Sequence, residues 1–184
     1  MKMPPHCQAL LILIGMMGSG KSTVGQLLAK ELDVPFVDSD RLIEQRSGVS
    51  VATIFDVEGE AGFRKREAEA IDELTQRTGL ILATGGGAVL NEENRKRMHE
   101  RGLVIYLEAS FAELIRRLGR DRSRPLLQSE NAGERIAQLL SERSELYKHC
   151  AHLTFATNTS GPKQLARRIA AHPLVVEAFG GAQT

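Results

Sequence analysis

The chain of 184 residues carries no excess of charge of either sign, with 24 Lys and Arg against 23 Asp and Glu. No bulk field therefore draws it to nucleic acid or to an anionic membrane, and any anion site has to be built locally. Cysteine is scarce. Cys7 and Cys150 have no ligand-like spacing, so they read as two reduced thiols of a cytoplasmic protein and not as a disulfide or metal site. Long hydrophobic runs are missing too: the longest, Ala9–Ile14, falls far short of the roughly 20 residues that span a bilayer. Met1–Gln8 contains Lys2 and His6, but no signal-type apolar region or cleavage site follows. Internal repeats, low-complexity tracts and interdomain linkers are also lacking. With 42% hydrophobic and 26% charged residues, the composition is that of a soluble globular protein, and residues 1–184 are expected to form a single domain able to bury a full core. A monomer is expected.

Periodicity gives an alternating order of strands and helices. Ala9–Ile14 is an uninterrupted apolar run ending at a glycine, as in a strand buried on both faces. Val24, Leu27, Leu28 and Leu32 recur at helical spacing over Lys21–Glu31. Further strands are expected at Pro35–Asp38, Leu80–Ala83, Leu103–Leu107 and Leu153–Phe155. Helical patterning fills Arg41–Gln76, with breaks at Ser47-Gly48 and Gly59. Helices are also expected over Asn91–Arg101 with Asn91 as N-cap, after Ser110 as N-cap, over Gly133–His149 and from Pro162. Five short buried strands alternating with helices predict an α/β fold, a five-stranded parallel sheet with helices on both faces. Two segments read as insertions on it, one helical (about 38–76) and one Arg-rich (about 116–128).

Gly15-Met-Met-Gly-Ser-Gly20-Lys21-Ser22 matches the G-x-x-x-x-G-K-S/T pattern in full, after a strand and before a helix. In that context the glycines let successive backbone N–H groups converge on a phosphate at a helix N-terminus. Gly18, Ser19, Gly20, Lys21, Ser22 and Thr23 are the candidate ATP-binding residues. Lys21 supplies charge to the β- and γ-phosphates, and the Ser22 hydroxyl is placed for Mg²⁺.

Two other P-loop classes lack their marks. Asp56-Val-Glu-Gly59 imitates a GTPase D-x-x-G element, but no buried strand precedes it and no N-K-x-D sequence occurs. Nor does an apolar strand end in the acidic pair of a motor ATPase, Glu108 alone being a weak candidate. The acidic pair that does occur is Asp38-Ser-Asp40, after the second strand. Carboxylates there face the crevice where open α/β sheets bind ligands, one able to reach a Mg²⁺ shell and the other a hydroxyl. Equally, Ser39 or Asp40 serves only as an N-cap for the next helix.

Five further elements follow in order: Asp38-Ser-Asp40, Glu58-Gly-Glu-Ala-Gly-Phe-Arg64-x-x-Glu67, Ala83-Thr-Gly-Gly-Gly87, Arg124-Pro-Leu-Leu127 and Arg143-x-x-x-Tyr147. With the P-loop they resemble the signature of bacterial shikimate kinases over residues 15–147, nearly the whole chain. The resemblance implies ATP-dependent phosphorylation of the shikimate 3-hydroxyl, a step of aromatic amino acid biosynthesis, with Mg²⁺ as cofactor. It implies that Asp40, Arg64, Gly85, Gly86, Gly87 and Arg143 contact shikimate and that Asp40 orients the hydroxyl and takes its proton. Planar Arg64 and Arg143 forks suit a carboxylate. Taken alone, Arg64 in a charged helix would read as a solvated surface charge. The Arg-rich 116–128 segment resembles the family's lid, with Arg124 on the transferring phosphate and Arg117 or Arg120 near the adenine. Asp38 is expected in the metal shell. A gluconate-type or nucleoside-monophosphate kinase of the same fold, or a nucleotide-binding module without catalysis, are the alternatives.

Overall fold

The computed structural model describes residues 9–118, 132–158 and 161–180. Strands β1 (Leu10–Ile14), β2 (Phe36–Asp38), β3 (Leu80–Ala83), β4 (Leu103–Glu108) and β5 (Leu153–Ala156) form one sheet in the order β2-β3-β1-β4-β5. Every pairing is parallel, with Leu11 of β1 beside Ile81 of β3 and Leu103 of β4. The expected five-stranded parallel sheet is therefore the observed one.

Alternation along β1 divides the core. Leu10, Ile12 and Ile14 face α3 (Val51–Leu74), α4 (Glu92–Arg101), α5 (Phe111–Leu118) and α6 (Ala132–Cys150). Leu11 and Leu13 face α1 (Lys21–Leu32), α7 (Pro162–Ala170) and α8 (Pro173–Gly180). A strand covered on both sides has no polar face to present, which is why it reads as an unbroken apolar run. Since the strands are parallel, their C-terminal ends lie along one edge, and the loops leaving β1, β2 and β3 converge there.

The insertion after β2 is α2 (Ser39–Ser47) followed by α3, packed through a separate small core of Ile43, Ile54, Phe63 and Ala70. Gly48 in the left-handed region ends α2, and Gly59 (φ 71, ψ −177) interrupts α3. The GTPase-like Asp56–Gly59 stretch thus lies in a helical segment and not at a strand end. The helix expected from Pro162 is two helices, α7 and α8, because Pro173 has no N–H to continue the first. The Arg-rich insertion also starts later than expected. Arg116 and Arg117 are the last turn of α5 and both bond Glu113.

Candidate active site

β1 delivers the chain into the P-loop, and α1 leaves it. Gly18 adopts φ 78, and a Cβ there would stand 2.9 Å from the Leu118 side chain, so α5 packs directly on the loop. The ammonium of Lys21, nearly sealed from solvent, donates to the carbonyls of Gly15 (2.7 Å) and Met16 (2.9 Å). It therefore sits inside the curve of the loop, held there by the loop's own carbonyls. Ser19 is buried as well, whereas Thr23 is on the exposed side of α1. Arg117 braces the loop from α5, donating to the carbonyls of Gly18 (3.3 Å), Ser19 (2.9 Å) and Thr157 (3.1 Å).

The Ser22 hydroxyl donates to Asp38 Oδ2 at 2.7 Å, joining α1 to the end of β2. The other oxygen of Asp38 accepts from the backbone N–H groups of Asp40 (3.1 Å) and Arg41 (3.4 Å). Asp38 is thus the N-cap of α2, a role expected instead of Ser39 or Asp40. Ser39 serves a longer-range contact. Its buried hydroxyl accepts the Gly85 N–H at 3.0 Å and so ties β2 to the turn after β3. Among the described residues no group of three or more His, Cys, Asp or Glu is arranged to hold a metal ion.

Beside the phosphate loop lies a second, mixed-charge site. A Cβ on Gly85 would fall 2.6 Å from Asp40 Oδ1 and 2.7 Å from Glu67 Oε1. Two carboxylates from different helices therefore crowd one glycine, and only the absence of a side chain makes room for them. Arg64 occupies the space a Gly87 side chain would fill. Its guanidinium bonds Glu67 at 2.7 Å and Glu60 at 3.0 Å. The surface-charge reading of Arg64 fails for that reason: its partner Glu67 is only 1% exposed. Burial pushes the Glu67 carboxyl above its usual range, and the adjacent Arg64 pulls it back. Arg143, also buried, reaches the Gly86 carbonyl at 3.4 Å, and its Nε has no hydrogen-bond partner in the described protein. Asp40, Arg64, Gly85, Gly86, Gly87 and Arg143 are thus neighbours in space, next to Lys21, Ser22 and Asp38. Arg120 and Arg124 lie outside the described residues.

Three residues that belong to this site were not among its candidates beforehand: Ser39, expected only as an N-cap, Glu67 and Tyr147. Glu67 and Tyr147 stand within the motifs quoted above; Ser39 shows no signal beyond its position between two acids.

A P-loop on the central strand of a parallel sheet, with charged side chains gathered around the turn that leaves the neighbouring strand, is the frame of a P-loop phosphotransferase acting on a small molecule. The sequence model of the shikimate kinase family matches residues 17–172. The chain belongs to that family, and it is an enzyme of the shikimate kinase type. The shikimate kinase of Vibrio parahaemolyticus is 48% identical over 159 residues, covering 86% of this chain and 92% of the relative. That of Burkholderia pseudomallei is 51% identical over 153 residues, 83% of this chain and 82% of the relative. Among solved structures, shikimate kinase from Acinetobacter baumannii in complex with shikimate superposes with a TM-score of 0.85 at 40% identity, covering 97% of each chain. Likeness at this level does not favour the gluconate-type, nucleoside-monophosphate or non-catalytic alternatives.

Proposed function

We propose that the chain transfers the γ-phosphoryl group of ATP to the 3-hydroxyl of shikimate, giving ADP and shikimate 3-phosphate, within aromatic amino acid biosynthesis. The observation that carries this reading is the convergence of Asp40, Arg64 and Arg143 on the Gly85–Gly87 turn. A hydroxylated carboxylate needs fixed cations for its acid and one oxygen acceptor for its reacting hydroxyl, and that pocket holds both. Arg64 and Arg143 hold the carboxylate. Asp40 orients the hydroxyl and takes its proton late in a loose transition state, while Lys21 steadies the transferring group. The family resemblance assigns Arg124 to the same phosphate and Arg120 or Arg117 to the adenine. Arg117 bonds Glu113, Ser19 and Thr157 through its in-plane nitrogens, so any contact it makes with a base would be through the flat face of its guanidinium.

Mg²⁺ fits the oxygen pair of Ser22 and Asp38, which stand 2.7 Å apart. Two protein oxygens suffice for an ion that keeps several waters and takes the rest of its shell from nucleotide phosphates. When bound, it supplies charge neutralisation at the phosphates. No helix among the described residues is long and apolar enough to cross a membrane. The reading proposed for the chain is a cytoplasmic monomer whose partners are shikimate and ATP, with no nucleic acid or membrane partner.

The test is coupled ADP release with shikimate, gluconate, AMP and CMP supplied in parallel. Turnover with shikimate should exceed the others by orders of magnitude; faster turnover of any other acceptor defeats the assignment.

A further inference from the structure

Tyr147 lies one helical turn beyond Arg143 on α6 and is fully buried. Its hydroxyl donates to the Gly86 carbonyl and stands 3.6 Å from the Met16 sulfur. Met16 belongs to the phosphate loop and Gly86 to the acceptor turn, so one phenol touches both halves of the site. At this point the two loops run backbone to backbone. A Cβ on Gly86 would lie 3.2 Å from the Met17 nitrogen and 3.6 Å from the Gly15 carbonyl oxygen. The Gly86 carbonyl also accepts from Arg143 at 3.4 Å. Tyr147 and Arg143 therefore approach the same oxygen from successive turns of one helix.

The ring is held as firmly as the hydroxyl. It stacks on Tyr106 of β4, with centroids 5.0 Å apart and planes 16° from parallel. Burial pushes the Tyr147 phenol well above its usual range, so it keeps its proton and serves as a donor throughout the working pH range. A buried phenol has to place its single proton on some acceptor, and Tyr147 places it on the turn that carries Arg143's contact. We infer that Tyr147 is a positioning residue for the acceptor: through Gly86 it sets where the glycine turn and the Arg143 fork stand relative to the phosphate loop.

This inference rests on the acceptor reading given above. Tyr147→Phe keeps the ring and its stack, removes the donor, and leaves the half-buried Gly86 carbonyl with only the longer Arg143 contact. Leaving such a group short of a partner costs roughly 1–3 kcal/mol, so the shikimate KM should rise about 5- to 150-fold. The ATP Kd should stay within about twofold and kcat within about threefold. Tyr106→Phe, which also keeps the stack, should change none of these, because the Tyr106 hydroxyl bonds no residue of the described protein. An unchanged shikimate KM in Tyr147→Phe, or a loss shared equally by ATP and shikimate, overturns the inference. Arg64→Ala run alongside separates the two claims. If it raises the shikimate KM and Tyr147→Phe does not, only the Tyr147 role fails; if neither does, the acceptor reading itself fails.

A measurement that leaves Tyr147 in place guards against misfolding of the variant. The chain has only two tyrosines, so fluorotyrosine incorporated into Tyr106→Phe labels Tyr147 alone. Its fluorine resonance should shift when shikimate saturates the protein, and a resonance indifferent to shikimate would count against the proposal.

Discussion

Glu67, sealed from solvent, holds the Arg64 guanidinium at 2.7 Å through one oxygen, and its other oxygen faces Gly85 without a hydrogen-bond partner in the described protein. A buried carboxylate with half its acceptor capacity unused is costly to stability. The arrangement makes sense if Glu67 fixes the Arg64 fork in one orientation. Glu67→Gln keeps the shape and removes the charge. The shikimate KM should rise about tenfold, in line with the roughly 1.5–3 kcal/mol of a charge-assisted hydrogen bond, while ATP affinity holds. A KM within about twofold of wild type would mean that Arg64 needs no such partner.

Asp40 is tested by its ability to take a proton. Asp40→Asn can still accept a hydrogen bond from a hydroxyl but cannot receive its proton, and positioned general bases contribute about 10²- to 10⁴-fold. Initial-rate kinetics should show kcat reduced by at least about a hundredfold with a shikimate KM close to wild type. The reverse pattern, kcat intact and KM raised, would make Asp40 a positioning group only.

Gly85→Ala tests the crowding at the acceptor turn. The added methyl would lie 2.6 Å from Asp40 Oδ1 and 2.7 Å from Glu67 Oε1, inside any tolerable contact. Both neighbours are side-chain ends that can swing away, so the protein should fold and melt within a few degrees of wild type. Its site carboxylates would be displaced, and kcat/KM for shikimate should drop by at least about tenfold. Wild-type activity in this variant would show that Asp40 and Glu67 need not stand where the structure puts them.

His152 predicts a pH dependence of stability remote from the site. Its Nδ1 accepts the Val104 N–H at 3.0 Å, its Nε2 is buried without a hydrogen-bond partner, and its ring stacks on His99 with centroids 4.1 Å apart. Burial, with His99 adding to it, lowers its pKa from 6.5 to about 4. Between those values the unfolded chain binds a proton that the folded chain refuses. Stability is therefore complete above about pH 6.5 and falls as the pH drops toward 4. His152→Asn retains an acceptor for Val104 but cannot titrate. Its melting temperature should decline less than that of wild type between pH 7 and 4.5. Parallel curves for the two proteins would refute this account.

The parts legible in the sequence are those with local physical codes. Eight contiguous positions, Gly15–Ser22, specify a phosphate loop because backbone freedom and charge must occur at fixed intervals along one stretch of chain. Buried parallel strands announce themselves as apolar runs, and Asn91 and Ser110 cap α4 and α5 where expected, accepting the N–H groups of Asn94 and Glu113. By sequence alone, then, the chain was a P-loop α/β kinase, and its ordered motifs resembled one family. What the sequence left open was which neighbour each polar group serves. Ser22 meets Asp38 across 16 residues, Ser39 meets Gly85 across 46, and Tyr147 meets Gly86 across 61. None of these spacings has a period or propensity to betray it. They arise because the order β2-β3-β1 brings three strand ends to one edge, and because glycine turns let charged side chains close in on bare backbone. Propensity is a property of neighbours in the chain, whereas an acid, a fork and a phenol become a site only through neighbours in space.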